Sequence, residues 1–148
     1  MTFWNHGGDS VGGAAFDELH GLDSLDLAEM YQAFDAVWPA DAENPALELV
    51  GFDTCLMATV DVASTFQGFA KYLVASEEVE PGNGWLIPAG LGRWQQIRIW
   101  TARRWALPSA TPYYQGCEAV APRIRPPCPV TDLSKLDPLL EAYESLGQ

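Results

Sequence analysis

Residues 46–57 read Ala-Leu-Glu-Leu-Val-Gly-Phe-Asp-Thr-Cys-Leu-Met, an apolar run that ends at a carboxylate and a cysteine. Between Pro45 and Asp53 the run is short and rich in Leu, Val and Phe, which is typical of a buried strand. The following residues predict a helix over about 57–69, because apolar side chains recur there at spacings of three or four: Met57, Val60, Ala63, Phe66 and Ala70. Cys55 would then lie where a strand turns into a helix.

Cys55 is the residue that we expect to be a nucleophile. A cysteine at the start of a helix meets unpaired N–H groups and the positive end of the helix dipole, and both favour thiolate over thiol. The alternative is a small buried hydrophobic side chain, the usual role of a free cysteine. The chain has 3 cysteines and no Cys-x-x-Cys pair, so we predict neither a disulfide framework nor a metal site from them.

The segments on either side complete an alternation of strands and helices. Residues 2–5 are β-prone, a helical face runs from Leu27 to Trp38 with Asp23 or Ser24 as its cap, and a third strand is expected from Tyr72 to Ala75. The order β-α-β-α-β predicts an α/β fold with a parallel sheet and right-handed crossovers. Ligands of such folds bind beyond the carboxyl ends of the strands.

His6 and Cys55 follow the first two of these strands, 49 positions apart, and the crossover rule places those strands side by side. A cysteine nucleophile needs an imidazole to handle protons and N–H donors for the oxyanion. The backbone N–H groups of Gly7 and Cys55 are the candidate donors, since a glycine lets the backbone approach a reacting carbonyl closely. The alternative for His6 is an ordinary turn histidine beside flexible glycines.

Composition limits the function classes. The 148 residues are enough for one core, 48% of them are hydrophobic, and the net charge of -12 argues against a nucleic-acid partner. A cationic ligand or peptide is the better match for an acidic surface. We find neither a membrane-length apolar run nor a signal peptide, so the compartment is not predicted, and neither is the oligomeric state.

Residues 87–128 differ from the rest of the chain. They carry all 6 arginines, 6 of the 11 prolines and a local charge of +5 (6 bases less 1 acid), whereas residues 1–86 carry -14 (15 acids less 1 base). Two interpretations stay open, namely a genuine basic loop and a segment translated in a shifted reading frame. Residues 129–148 return to an acidic, amphipathic pattern that predicts a carboxy-terminal helix. We therefore predict one partial domain with a core over 1–86.

Several motifs together resemble the clostripain family of cysteine peptidases. They are Phe3-Trp4-Asn5-His6-Gly7-Gly8, Gly51-Phe52-Asp53-Thr54-Cys55-Leu56-Met57, Val74-Ala75-Ser76-Glu77-Glu78 and Pro81-Gly82-Asn83-Gly84-Trp85. The resemblance covers residues 2–85 and resumes at 130–140. It implies a caspase-like three-layer α/β/α sandwich, here incomplete, with His6 and Cys55 as the catalytic dyad.

The resemblance also implies cleavage after arginine or lysine, with Asp53 as the carboxylate that receives the basic side chain. Ser76, Glu77 and Glu78 are expected as further pocket contacts. Family members can depend on calcium, although no EF-hand spacing is present and the sequence itself requires no cofactor. A secreted or cell-envelope location is likewise an expectation from the family.

The chain departs from the family pattern in three places. Only five residues precede His6, where the family has a strand and a helix, so we expect a truncated domain with an exposed sheet edge. The segment 87–128 does not match. No Lys or Arg lies between His6 and Cys55, which closes the self-cleavage route that some members use.

Three functions follow. The first is a clostripain-like endopeptidase, the second an inactive fragment or pseudo-enzyme that binds basic peptides, and the third a transpeptidase on the same fold.

Overall fold

The computed structural model describes residues 1–80, 82 and 130–146. The segment predicted to be atypical, 87–128, lies outside these residues, so both of its interpretations and the division of the chain into three parts stay predictions.

The described residues form two small sheets and four α-helices. The elements are β1 (Thr2–Trp4), α1 (Asp9–Gly12), β2 (Ala14–Asp17), β3 (Asp23–Leu25), α2 (Leu27–Asp35), β4 (Leu47–Asp53), α3 (Val60–Phe66), β5 (Ala70–Val74), β6 (Val130–Asp132), a 3-10 turn (Leu133–Lys135) and α4 (Leu136–Leu146).

The larger sheet has the strand order β1-β4-β5-β6. Strands β1, β4 and β5 are parallel, while β6 runs antiparallel to β5. Helices α2 and α3 form the crossovers between the parallel strands, as such connections require. The predicted α/β class with a mainly parallel sheet is confirmed.

An aromatic cluster joins the helices to the sheet. Phe34 of α2 packs edge-to-face on Phe66 of α3, with ring centroids 5.0 Å apart, and Phe66 packs on Phe52 of β4 at 5.4 Å. Phe3 of β1 stacks on Phe52 at 4.7 Å. Phe52 and Phe66 are fully buried, so their packing fixes β1 and β4 relative to each other.

Helices α2 and α3 are shorter than predicted. Asp26, rather than Asp23 or Ser24, caps α2, since its carboxylate accepts from the Glu29 N–H and the Glu29 carboxylate accepts from the Asp26 N–H. Helix α3 begins at Val60, where Thr59 accepts from the Val62 N–H, instead of near residue 57.

Two strand pairs were not predicted. Residues 14–17 and 23–25 form an antiparallel hairpin with a register shift, where the sequence predicted no strand and gave Asp23 or Ser24 as a helix cap. Residues 130–132 form β6, although the sequence there predicted the start of a helix. A strand of three residues is too short to show a period of two.

No helix within the described part of the chain is long and apolar enough to cross a membrane.

Candidate active site

Cys55 lies in a turn beyond the carboxyl end of β4. The strand ends at Asp53, and Leu56 has a φ of 63°, a left-handed conformation that is uncommon for a side chain of this kind. Helix α3 starts five residues after Cys55 (60 less 55). The expectation that the helix dipole acts on the thiol is therefore wrong, because that effect fades beyond the first turn.

The segment after β5 holds the cysteine instead, and we call residues 76–80 the strap. The Ser76 carbonyl accepts from the Ala58 N–H at 3.0 Å, and the Glu78 carbonyl accepts from the Leu56 N–H at 3.3 Å. The Glu80 N–H then donates to the Cys55 sulfur at 3.3 Å. Cys55 Sγ lies 3.9 Å from the Glu80 carbonyl oxygen, which can accept from the thiol.

His6 lies in the loop after β1, which the hairpin supports. The His6 carbonyl accepts from the Ala15 N–H at 3.0 Å, and Gly8 donates to the Gly13 carbonyl at 2.8 Å. The His6 side chain is 72% exposed, and its Nε2 lies 3.7 Å from a Glu18 carboxylate oxygen. Glu18 thus provides a negative charge beside the imidazole, in a solvent-exposed setting that weakens the interaction.

The strand register brings the two loops together. Trp4 of β1 is opposite Asp53 of β4 in the parallel pair, so His6 and Cys55 each lie two residues beyond a matched position. Gly7 touches the cysteine turn directly, since a Cβ atom at Gly7 would lie 2.2 Å from the Cys55 carbonyl oxygen. Only glycine allows this approach.

Three of the predicted site residues, His6, Asp53 and Cys55, line one cleft of about 450 Å³, while Gly7 is not among its described lining. Its described walls come from the histidine loop, the hairpin, the cysteine turn and the strap: Trp4, Asn5, His6, Phe16, Glu18, Asp53, Thr54, Cys55, Val79, Glu80 and Gly82.

Two buried carboxylates lie in this cleft. Asp53 is 6% exposed and Glu80 is 8% exposed. Of the strap, the described lining contains Val79 and Glu80 rather than the expected Ser76, Glu77 and Glu78. Ser76 is fully buried, and the other two side chains are exposed.

Glu80 was missed by the sequence reasoning. It is the last of three acids in Glu77-Glu78-Val79-Glu80, and its partner Cys55 is 25 positions away. The acidic residues after β5 indicated that this segment could line the cleft. Which of them does so depends on how the strap bends, and the sequence does not show that bend.

Within residues 1–80, 82 and 130–146, no three His, Cys, Asp or Glu side chains converge as a group that could hold a metal ion.

The mainly parallel sheet thus brings the histidine loop and the cysteine turn to one cleft, as expected for an α/β protein with a site at the carboxyl ends of its strands. The clostripain family model matches residues 1–93, and the chain belongs to that family. No curated protein matches the chain.

Solved structures of cysteine proteases share the fold. A secreted cysteine protease from Bacteroides thetaiotaomicron, in complex with an irreversible peptide inhibitor, has a TM-score of 0.65 at 18% identity over 95% of this chain and 41% of its own. An inactive zymogen from Parabacteroides distasonis gives 0.65 at 19% identity, over 98% and 37%.

A clostripain from Bacteroides thetaiotaomicron, in complex with the peptide inhibitor BTN-VLTK-AOMK, gives a TM-score of 0.64 at 18% identity, over 88% of this chain and 53% of its own. The chain thus spans about two fifths to one half of the length of these proteins. The caspase-like fold is confirmed by these similarities.

Proposed function

We propose that this chain carries the catalytic core of a cysteine endopeptidase that cleaves peptide bonds after arginine or lysine. The observation that supports it best is the single cleft in which Cys55, His6 and Asp53 lie together. A nucleophile, a proton carrier and a fixed negative charge are what such a reaction needs from the protein. The family membership supports the same reaction class.

In the first step, the Cys55 thiolate forms a bond to the carbonyl carbon of the substrate and the carbonyl electrons move to the oxygen. The backbone N–H groups of Gly7 and Cys55 are the proposed donors to this oxyanion. When the oxyanion collapses, the carbon–nitrogen bond breaks and His6 gives its proton to the leaving amine. A thioester on Cys55 remains.

In the second step, water attacks the thioester and His6 takes its proton. The carbon–sulfur bond breaks, which releases a carboxylic acid and returns Cys55 to the thiolate. If an amine attacks in place of water, the same site becomes a transpeptidase. The mass of the product distinguishes the two outcomes.

Asp53 is the proposed partner of the basic side chain. It is buried in the cleft two residues before Cys55, and the Glu80 carboxylate lines the same cleft. A guanidinium or ammonium group is favoured strongly by a carboxylate that is shielded from water. The inhibitor solved with the Bacteroides clostripain has a peptide part that ends in lysine, which agrees with this specificity.

An inactive protein that binds basic peptides is the second candidate. It is favoured by the acidic residues that line the cleft, Glu18, Asp53 and Glu80. The acidic cleft would then bind a basic side chain without cleaving the peptide.

Cleavage of fluorogenic peptides tests the proposal. We expect cleavage when Arg or Lys precedes the bond, none when Ala or Glu does, and a loss of at least about 10³-fold in Cys55→Ala. Cys117→Ala is the matched control and should cleave like the parent chain. Asp53→Asn should lose the preference for basic peptides. Binding of basic peptides without cleavage would instead support the second candidate.

Calcium dependence and secretion remain proposals from the family. The same assay with EDTA and with added calcium tests the first. The Bacteroides relative described as secreted supports the second.

A further inference from the structure

We propose that the strap, residues 76–80, holds the Cys55 sulfur in its reactive position, and that Ser76 is the positioning residue that shapes the strap. This inference rests on the proposed function, since it concerns the nucleophile of the same site. It assigns Ser76 a role behind the cysteine instead of a contact with the substrate.

The strap runs antiparallel to the cysteine turn. Ser76 pairs with Ala58, Glu78 with Leu56 and Glu80 with Cys55, at 3.0, 3.3 and 3.3 Å. The first two contacts are ordinary backbone hydrogen bonds. In the third, the sulfur takes the place of a carbonyl as the acceptor.

In this third contact the Glu80 N–H donates directly to the Cys55 sulfur. A backbone N–H is a fixed donor, and a negatively charged sulfur is a stronger acceptor than a neutral thiol. The contact that serves the thiol, from Sγ to the Glu80 carbonyl, is longer, at 3.9 Å. The shorter donor contact therefore matches the charge state that attacks a peptide carbonyl.

The cleft around the cysteine is acidic. It is lined, together with Cys55, by Glu18, Asp53 and Glu80, and the only other titratable group of the described lining is His6. The Glu80 N–H thus gives the sulfur a donor in a cleft that carries acidic residues.

Ser76 sets the path of the strap. Its side chain is fully buried, and its hydroxyl accepts from the Glu78 N–H at 3.1 Å while its carbonyl accepts from the Ala58 N–H. A serine that bonds the N–H two residues on makes a local turn. The turn aims the following residues back over Cys55.

The strap also stabilises a strained residue of the cysteine turn. Leu56 has a φ of 63°, which a side chain disfavours, and the Glu78 carbonyl accepts its N–H. The strap therefore holds the turn in a conformation that it would leave if released.

Alkylation by iodoacetamide tests the role of Ser76. Rates at each cysteine, followed by mass spectrometry of peptides from pH 5.5 to 9, should show Cys55 about threefold to tenfold slower at pH 7 in Ser76→Ala, with its half-maximal rate at higher pH. Ser64→Ala is the matched control, since that hydroxyl bonds the Val60 carbonyl within α3. An unchanged Cys55 profile in Ser76→Ala would overturn the inference.

A measurement on the unmodified chain covers the case in which Ser76→Ala does not fold. The amide NMR signal of Glu80 should shift with pH at the same midpoint as Cys55 alkylation, and the shift should vanish in Cys55→Ala. A Glu80 amide signal with the same pH dependence in Cys55→Ala as in the parent chain would overturn the inference.

The two proposals fail separately. Suppose that peptides are cleaved, but the Glu80 amide signal does not depend on the thiol and Ser76→Ala does not change Cys55 alkylation. The strap then has no such role, and the peptidase proposal stands. If the Glu80 amide signal depends on the thiol and Ser76→Ala slows Cys55 alkylation, but peptides are not cleaved, the peptidase proposal fails and the strap inference stands.

Discussion

The two sides of the cleft are built differently. On the cysteine side, Asp53 and Thr54 are buried. Hydrogen bonds join the strap to Cys55, Leu56 and Ala58. The histidine side is open, since the His6 side chain is 72% exposed and Glu18 lies 3.7 Å from it. The fold thus fixes the position of the Cys55 sulfur and leaves the exposed His6 imidazole room to move.

This difference suits the proposed reaction. The nucleophile must meet a carbonyl at a defined distance and angle, whereas the imidazole has to serve first the thiol, then the leaving amine and then water. A rigid sulfur and an adjustable proton carrier meet both needs. Changes on the two sides should therefore have separable effects on thiol reactivity and on cleavage.

The largest effect should come from Phe52→Ala, which removes the support shared by both sides. The ring is fully buried and packs on Phe3 of the histidine strand and Phe66 of α3. We expect a loss of about 3–5 kcal/mol in the free energy of unfolding, from the lost burial and the cavity. Urea denaturation followed by circular dichroism measures it.

Tyr143→Ala is the matched control, because that ring is 64% exposed on α4. It should change the free energy of unfolding by no more than about 0.5 kcal/mol. A loss below about 1 kcal/mol in Phe52→Ala would show that Phe52 does not tie β1 to β4.

Gly7→Ala should separate the two sides most clearly. The new methyl group would lie 2.2 Å from the Cys55 carbonyl oxygen and 2.8 Å from the Thr54 hydroxyl, so one loop has to move. Since the strap pins the cysteine turn, we expect the histidine loop to move. Cleavage should fall about 100-fold, with about 1–3 kcal/mol of lost stability.

Alkylation of Cys55 should meanwhile change less than about threefold in Gly7→Ala, since its turn stays in place. Gly12→Ala, at the end of the nearby helix α1, is the control, because its nearest added contact is an ordinary 3.7 Å to Phe16. If Gly7→Ala slowed alkylation as much as cleavage, the cysteine side would not be the rigid one.

The parts of the fold that sequence predicted are those with strong periodicity. The apolar run of β4 and the one-sided apolar face of α2 are clear patterns, so the alternation of strands and helices could be predicted. Parallel topology followed from that alternation. The positions of His6 and Cys55 at the carboxyl ends followed from the topology.

The local geometry around Cys55 could not be predicted from the sequence. Met57 fits the helical spacing of α3, yet the helix starts at Val60, because the left-handed Leu56 turns the chain first. The contact of Glu80 with Cys55 depends on a bend set by Ser76, which is packing between segments that no local pattern records. The sequence thus predicted that His6 and Cys55 lie at the same edge of the sheet, but it did not predict the contacts that support Cys55.

Glu18→Gln tests the open side with a smaller effect. The Glu18 carboxylate lies 3.7 Å from His6 Nε2 in an exposed setting, where an interaction between charged groups is weak. We expect kcat/KM for a basic peptide to fall about twofold to fivefold at low salt, and less at 0.5 M salt, where charges are screened. Cys55 alkylation in the absence of substrate is the parallel measurement and should change less.

Glu141→Gln on the exposed surface of α4 is the matched control for this variant and should be neutral. Equal kcat/KM in Glu18→Gln and the parent chain at low salt would show that His6 acts without this carboxylate.

Glu48→Gln should have the smallest effect, and it calibrates the others. The Glu48 carboxylate accepts from Lys71 at 2.8 Å across β4 and β5, and this hydrogen bond together with the opposite charge raises the pKa of Lys71 above its usual 10.5. A raised pKa means that the pair stabilises the fold fully below about pH 10.5 and loses its effect as pH rises through the folded pKa.

Because both side chains are about half exposed, we expect a loss of only about 0.3 kcal/mol at pH 7, absent in 1 M salt, by urea denaturation. Cleavage should not change, since the pair lies toward the amino ends of the strands while the cleft lies beyond their carboxyl ends. We thus expect an exposed polar contact to matter for cleavage beside His6 and not beside Lys71. A loss of cleavage in Glu48→Gln would mean that the sheet transmits surface charge to the cleft, and the effect of Glu18 could then no longer be assigned to its position beside His6.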